Sequence, residues 1–292
     1  MKPRLVSVVI PTYNAVDTIG EQLQALASQD YAGPYEAVVS DNSSTDGLRD
    51  FINTHPLAET ITLRWVSASQ TQGPSHARNV GAEHADGDFI AFCDADDRVH
   101  TSWLTQLVMA AEDADLVSGG IETASINAPE VSAWRELKPK PDPYSFDSYL
   151  PHMMGCNFGA WKSSYQSVGG CDETMRVGED VDVSWRMQQA GMKFAYEPKA
   201  LVAYRLRSGL STMWRQTVSF GIANVDLYSK HRQFGFKRSS FRALAIELAG
   251  LLLLNPLVPQ RITHLPRGKW VAHAGLLAGR IKGSIVLRTF YL

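Results

Sequence analysis

Residues 86–97, Asp-Gly-Asp-Phe-Ile-Ala-Phe-Cys-Asp-Ala-Asp-Asp, constrain this chain more than any other stretch. The uninterrupted apolar run Phe89 to Cys93 has the length of one strand buried on both faces, as in the interior of a parallel sheet. It stops abruptly at three carboxylates, Asp94, Asp96 and Asp97. Ligands of open parallel sheets bind beyond the carboxyl ends of the strands. Asp94 and Asp96, two apart, point the same way from an extended end. Like charges crowded there repel one another and call for a cation. Mg2+ or Mn2+ shared with substrate phosphates suits such oxygen donors. Taken alone, an Asp-x-Asp pair is equally a solvated acidic turn, so its neighbours decide.

Those neighbours alternate. Val6 to Ile10, Tyr35 to Ser40, Ile61 to Val66 and Leu116 to Gly119 read as further strands. Between them, Ile19, Leu23 and Leu26 recur at helical spacing within Thr18 to Gln29, and helices are expected over 48–54, 73–85 and 101–111. The pattern predicts an α/β, doubly wound, mostly parallel sheet flanked by helices. Residues 122–150 are rich in Pro and polar groups and read as a long connection. Order resumes at 155–203, with a turn at Gly169-Gly170 and a helix over 181–190.

Carboxyl edges of adjacent parallel strands lie side by side, so Pro11-Thr12-Tyr13-Asn14, Asp41-Asn42-Ser43-Ser44 and the acidic turn should line one crevice. Asp41 has the chemistry to accept hydrogen bonds from a base or ribose, and equally to cap a helix. Arg78, in the first turns of the helix opened by Gly73-Pro74, is expected to reach phosphate or carboxylate. His76 reads as a loop residue. Gly178-Glu179-Asp180-Val181-Asp182 opens a later helix, where acids either complement the dipole or supply a general base.

Three cysteines, Cys93, Cys156 and Cys171, are too few and too scattered for a disulfide framework or zinc site, and read as reduced buried thiols of a cytosolic protein. Leu5 to Ile10 is too short for a signal peptide. Without a secretion signal, the sequon Asn42-Ser43-Ser44 carries little weight.

Together the motifs Ser7–Asn14, Asp41–Gly47, Gly73–Gly81, Asp94-Ala95-Asp96, Gly169–Glu173 and Gly178–Asp182 resemble those of inverting glycosyltransferases of family 2, in the family's order and over roughly residues 5–205. The resemblance implies a GT-A fold, a nucleotide-sugar donor (a UDP-sugar first) and a divalent metal, Mn2+ or Mg2+. It assigns Asp41 to the nucleobase, with the Pro11–Tyr13 loop beside it. Asp94 would face the ribose or metal, Asp96 would ligate the metal, and Asp180 would be the base. Many members carry a further metal-ligating His near the position where this chain reads Ala203-Tyr204-Arg205-Leu206-Arg207. Arg205 and Arg207 are alternatives for holding the diphosphate. Acceptor contacts are expected from 122–150 and from 155–165, with Asn157 and Trp161 as candidates.

The net charge of −2 hides an asymmetry. Residues 228–292 carry 11 Lys and Arg against one acid, Glu247, while residues 1–227 carry 17 basic and 29 acidic side chains. The expected division is a catalytic domain over 1–213 and a helical, basic region over 214–292. Gly275, Gly279 and Gly283 repeat at a helix-packing spacing, so this region either completes a core or dimer interface or lies on an anionic membrane surface. The charge favours the membrane. No nucleic-acid module is recognisable. The expectation is thus a metal-dependent transferase, cytoplasmic or peripheral on the cytoplasmic membrane face, acting on a glycan, glycolipid, lipid-linked or cell-envelope acceptor. The rival readings are a sugar nucleotidyltransferase, which lacks its basic Gly-rich loop here, and an inactive relative serving as a scaffold.

Overall fold

The computed structural model describes residues 2–146, 149–258 and 260–292. They divide into two compact units. The first runs to Glu122 and takes in Lys138–Tyr144 and Leu150–Arg205. The second comprises Thr123–Leu137, Ser145–Tyr149 and Leu206–Leu292.

The first unit is built on one sheet of β1 (Val6–Thr12), β2 (Tyr35–Asp41), β3 (Thr62–Ser67), β4 (Phe89–Cys93), β5 (Arg98–Val99), β6 (Leu116–Glu122), β7 (Asn157–Trp161) and β8 (Phe194–Ala203). Its order is β3-β2-β1-β4-β7-β6-β8-β5. Helices α1 (Val16–Ala27), α2 (Leu48–Asn53), α3 (Pro74–His84) and α4 (Trp103–Ala111) follow the early strands, and α6 (Lys162–Ser167) and α7 (Glu179–Gln189) come later. Between them in sequence, α5 (Pro129–Trp134) belongs to the second unit.

Strands β1 to β4 run parallel, as their apolar runs predict. Strand β7 breaks the pattern by running antiparallel to both β4 and β6, and β8 returns parallel to β6. The sheet is therefore mixed. Its core is continuous across this reversal: the Phe92 ring of β4 stacks on Phe158 of β7 at 4.3 Å. Helix α3 comes close to the sheet because Gly81 has no side chain. A Cβ there would lie 2.4 Å from Val9 Cγ1. The connection over 122–150 is not a bare loop, since β6 extends to Glu122 and α5 forms within it. Asp147 and Ser148 of that stretch lie outside the described residues. All three cysteines are free and buried.

At the amino end of the sheet, Glu36 is buried yet fully engaged. It accepts hydrogen bonds from Ser7 Oγ at 2.6 Å, the Asp86 backbone N–H at 2.7 Å and Arg64 Nη1 at 3.0 Å. Burial alone would raise its carboxyl pKa, but these donors outweigh it and hold the pKa below the ordinary value. A depressed folded-state pKa stabilises the fold above the unfolded-state value and is lost as pH falls through the folded one. Glu36→Ala leaves Ser7, Asp86 and Arg64 without this partner and should destabilise the protein by about 3 kcal/mol at neutral pH. The difference from the wild type should shrink at acidic pH, as read by urea unfolding.

The second unit is helical: with α5 it holds α8 (Leu210–His231), α9 (Phe241–Leu253), α10 (Gln260–Thr263) and α11 (Arg267–Val286). The glycine repeat is the contact between α8 and α11. A Cβ on Gly279 would lie 2.1 Å from the Val218 carbonyl, and one on Gly221 would lie 2.2 Å from the Leu276 carbonyl. Among the described residues, no helix is long and apolar enough to cross a membrane.

Candidate active site

Register brings the chemistry to one edge. Thr12 of β1 pairs with Asp41 of β2, and Val9 pairs with Phe92 of β4. The Pro11–Tyr13 loop, Asp41 and the Asp94–Asp97 turn therefore leave the sheet at the same carboxyl edge, with Asp41 and Asp94 on either side of β1.

The acidic turn is held from outside. Gln22, fully buried on α1, donates to the Asp94 carbonyl at 3.1 Å and accepts from the Val99 N–H at 2.9 Å. Arg205 donates its backbone N–H to Asp97 Oδ1 at 2.7 Å and its Nε–H to the Asp96 carbonyl at 2.6 Å. Its Nη2 meets Glu21 at 2.7 Å. Arg205 thus braces the acidic turn. Asp94, Asp96 and Asp97 each offer a carboxylate oxygen within 4.8 Å of the others. Burial, then the neighbouring Asp94 and Asp96, push the Asp97 carboxyl well above its ordinary pKa. Its Oδ2 is buried without a hydrogen-bond partner. A buried orphan carboxylate oxygen among like charges is costly unless it takes a proton or a cation joins it. Three hard oxygen donors fit a divalent ion, with Asp97 joining the expected pair Asp94 and Asp96.

Across from this turn stands the amino end of α7, and Arg78 of α3 joins the two. Arg78 is buried. Its Nη1 donates to Glu179 Oε1 at 2.6 Å, and its Nη2 donates to Asp94 Oδ1 at 2.9 Å and the Gly155 carbonyl at 3.1 Å. Its Nε is also buried, without a partner. Arg78 therefore meets carboxylates, whereas the sequence had left phosphate and carboxylate open. It holds the acidic turn against α7. Burial opposes its charge, but Asp94 and Glu179 outweigh this and raise its pKa. One cation does not balance all the acids around it. Burial, followed by Asp180 and against Arg78, lifts the Glu179 carboxyl to about 7, and burial also raises Asp94.

The three acids of α7 have separate surroundings. Asp182 is buried and bonded to Arg186 Nε at 2.7 Å, while Arg186 donates onward to the Val168 and Gly170 carbonyls. Glu179 holds Arg78. Asp180 is only partly buried, and its Oδ2 accepts from the Gly155 N–H at 2.6 Å. A Cβ on Gly155 would lie 3.1 Å from Arg78 Nη2 and 3.2 Å from Asp180 Oδ2, so the loop carrying Gly155 fits closely against both.

At the other strand end, Asp41 Oδ1 accepts from the Ser44 N–H at 2.9 Å and Oδ2 from Trp65 Nε1 at 3.1 Å. These bonds fix the carboxylate and leave lone pairs for further donors. Tyr13 is 53% exposed beside it in the fold's carboxyl edge. Asn42 is buried. Its amide donates to the Ala68 and Thr71 carbonyls and accepts from the Gly73 N–H at 2.7 Å, fixing the approach to α3. The Gly169–Glu173 motif clamps the same helix: Asn79 donates to the Cys171 carbonyl at 2.8 Å and accepts from its N–H at 2.9 Å.

Two expected acceptor contacts do not face the site. Asn157 is fully buried, accepting from Trp103 Nε1 and donating to the Gly120 and Ala200 carbonyls, each at 2.7 Å. Trp161 donates to the Ala114 carbonyl at 3.0 Å. Both tie the sheet together. The residues that sequence reasoning passed over are Glu179 as Arg78's partner, Gly155, and Asp97 as a member of the candidate metal cluster.

A family model described as "Glycosyl transferase family 2" matches residues 7–169. The chain belongs to that family. It is 30% identical over 242 residues to the pre-mycofactocin glycosyltransferase of Mycobacterium tuberculosis, covering 78% of this chain and 48% of the relative. The chain thus spans about half the length of that curated relative. In fold it is similar to the mannosyltransferase PcManGT from Pyrobaculum calidifontis, solved in complex with GDP-Man and Mn2+. That match has a TM-score of 0.62 at 20% identity, over 97% of this chain and 87% of the other. It is also similar to S. aureus TarS 1-349 in complex with UDP-GlcNAc, with a TM-score of 0.56 at 18% identity, over 100% of this chain and 93% of that one. The mixed sheet flanked by helices is accordingly the GT-A type of these neighbours, followed by C-terminal helices.

Proposed function

We propose that this family 2 chain is a metal-dependent inverting glycosyltransferase, moving a sugar from a nucleotide-sugar donor, a UDP-sugar first, to an acceptor hydroxyl. The observation that carries the reading is the placement of an acidic turn, Asp94–Asp97, opposite the amino end of α7. There the buried Arg78 bridges Asp94 to Glu179 and to the Gly155 carbonyl, while the Gly155 N–H holds the neighbouring carboxylate, Asp180. In this reading Asp41 accepts from the nucleobase, and the exposed Tyr13 ring and Pro11 form its wall. Asp94, Asp96 and Asp97 would hold Mn2+ or Mg2+, which when bound neutralises charge developing on the nucleoside diphosphate.

Asp180 is the residue given the proton transfer. Its carboxylate takes the proton of the acceptor hydroxyl as the oxygen attacks the anomeric carbon and the bond to the diphosphate breaks. One displacement inverts the centre without a glycosyl-enzyme intermediate. The surroundings of the neighbouring acids support this choice, because Glu179 and Asp182 are each bound to an arginine. Arg78 and the Gly155 N–H serve as positioning groups. The acceptor is proposed to be a glycan, glycolipid or cell-envelope polymer. The enzyme would work from the cytoplasmic side, with residues 228–292 meeting an anionic membrane.

Stereochemistry tests the mechanism without a known acceptor. During slow hydrolysis of an α-linked donor, proton NMR should show the β anomer of the free sugar first. First appearance of the α anomer would contradict inversion.

A further inference from the structure

Helix α9 is built inside out for a protein in water. None of its residues is buried. Its half-covered positions are Leu244, Glu247, Gly250 and Leu251, one helical face. That face is tied to α11: Glu247 pairs with Arg280, and Trp270 Nε1 donates to the Leu251 carbonyl at 2.9 Å. Glu247 therefore points inward, while Phe241, Ile246, Leu252 and Leu253 point outward together with the exposed Arg242. Phe241 is 72% exposed, Ile246 64%, Leu252 73% and Leu253 72%, and Leu257 just beyond the helix is 93% exposed. Arg238 lies over the rings of both Phe241 and Phe290, at 5.6 and 5.2 Å, so the start of α9 and the end of the chain share one apolar patch. Contiguous exposed apolar surface of this kind marks an interaction site.

The charge identifies the partner. Of the 11 basic residues and one acid in 228–292, the acid is the Glu247 already paired within the unit. Beside the start of α9 lies a cavity of about 520 Å³ whose wall includes Arg232, Lys237, Arg238 and Ser239 together with Phe236 and Phe241. It contains three cations, no acid and aromatic sides. Two copies of this chain meeting through α9 would bring two strongly positive surfaces together, which electrostatics opposes. An anionic lipid surface satisfies both features at once. Thirteen residues of helix span only about 20 Å, short of the roughly 30 Å hydrocarbon core, so α9 is suited to lie in the plane of the interface.

Resting on the reading above that 228–292 meets an anionic membrane, we infer that the outward face of α9, with Leu257 and Phe290, is the element that embeds in an anionic phospholipid surface, the Arg232–Lys237–Arg238 cavity receiving a lipid phosphate. Flotation of the full chain with phosphatidylcholine vesicles, with and without phosphatidylglycerol, tests this. Because the native cysteines are buried, Leu257→Cys carries an environment-sensitive dye at one exposed site.

The expected result is binding to the anionic vesicles only, weakened by salt, with a blue shift of the dye. Lys237→Gln with Arg238→Gln should weaken partition by roughly 20- to 30-fold. Leu252→Glu with Leu253→Glu, on largely exposed positions that leave folding intact, should abolish the blue shift. Failure to float, equal binding to neutral vesicles, or a blue shift that grows with protein concentration without lipid would overturn the inference, the last by revealing a second copy on this face. Nucleotide-sugar calorimetry on the same preparations separates the two readings. Intact donor binding with no flotation sinks only the membrane face, and flotation without donor binding sinks only the transferase.

Discussion

Asp180→Asn should lower turnover by about 10²- to 10⁴-fold while leaving nucleotide-sugar affinity unchanged. The substitution keeps the side chain's size, and its amide oxygen can still accept the Gly155 N–H that Asp180 Oδ2 accepts at 2.6 Å. What disappears is the ability to take a proton from an acceptor hydroxyl. Asp182→Asn provides the contrast. It weakens the clamp in which Arg186 also holds the Val168 and Gly170 carbonyls, so its effect should appear in unfolding more than in kcat. Steady-state kinetics beside donor calorimetry checks the pair. Equal losses of kcat in the two variants would remove Asp180's special role.

Arg78→Met should be the most destabilising single substitution in the site, by about 3–5 kcal/mol, because it strands Glu179 and Asp94 without their shared cation. Making Glu179→Met in the same chain should recover part of that loss, since no unpaired glutamate then remains. The pH dependence follows from Glu179. Its carboxyl lies at about 7 in the fold against an ordinary 4.5. Between those values the folded state holds a proton that the unfolded state has released. Stability therefore falls as pH rises through this window, and Glu179→Gln should flatten that part of the profile. Urea unfolding across the window reads both effects. An unchanged slope in Glu179→Gln would show that another group carries it.

What the sequence made legible follows a simple physical division. Strands β1, β2 and β4 are covered on both faces, so burial writes them as unbroken apolar runs, and Asp41 and Asp94 follow at their ends. Strand β7 was missed because Asn157-Phe-Gly-Ala-Trp mixes polar and small residues. Gly159 is required where a Cβ would meet the Phe89 ring at 2.5 Å, and Asn157 is required to bond β6 and β8 backbones. Both needs come from neighbours distant in the chain. Strand β8 carries Pro198 beside the irregular register opposite Gly119 and Gly120, which hides its pattern.

The same limit governs the site. A guanidinium near a helix start suits phosphate and carboxylate alike, and only folding reveals Glu179, 101 positions away, as the partner of Arg78. Asp97 was visible as a third acid, but nothing local distinguishes a buried orphan carboxylate from a solvated one. The α7 acids show the reverse. The motif singled out Asp180, and the arginines bound to Glu179 and Asp182 supply a physical reason for that choice.

The most direct test of the account is calorimetric titration of the folded protein with UDP-, GDP- and dTDP-sugars, with and without Mn2+, beside Asp96→Ala. The expected result is binding of one donor class that depends on Mn2+ and is lost in Asp96→Ala. Binding that is indifferent to both the metal and Asp96, or no binding of any donor, would contradict it.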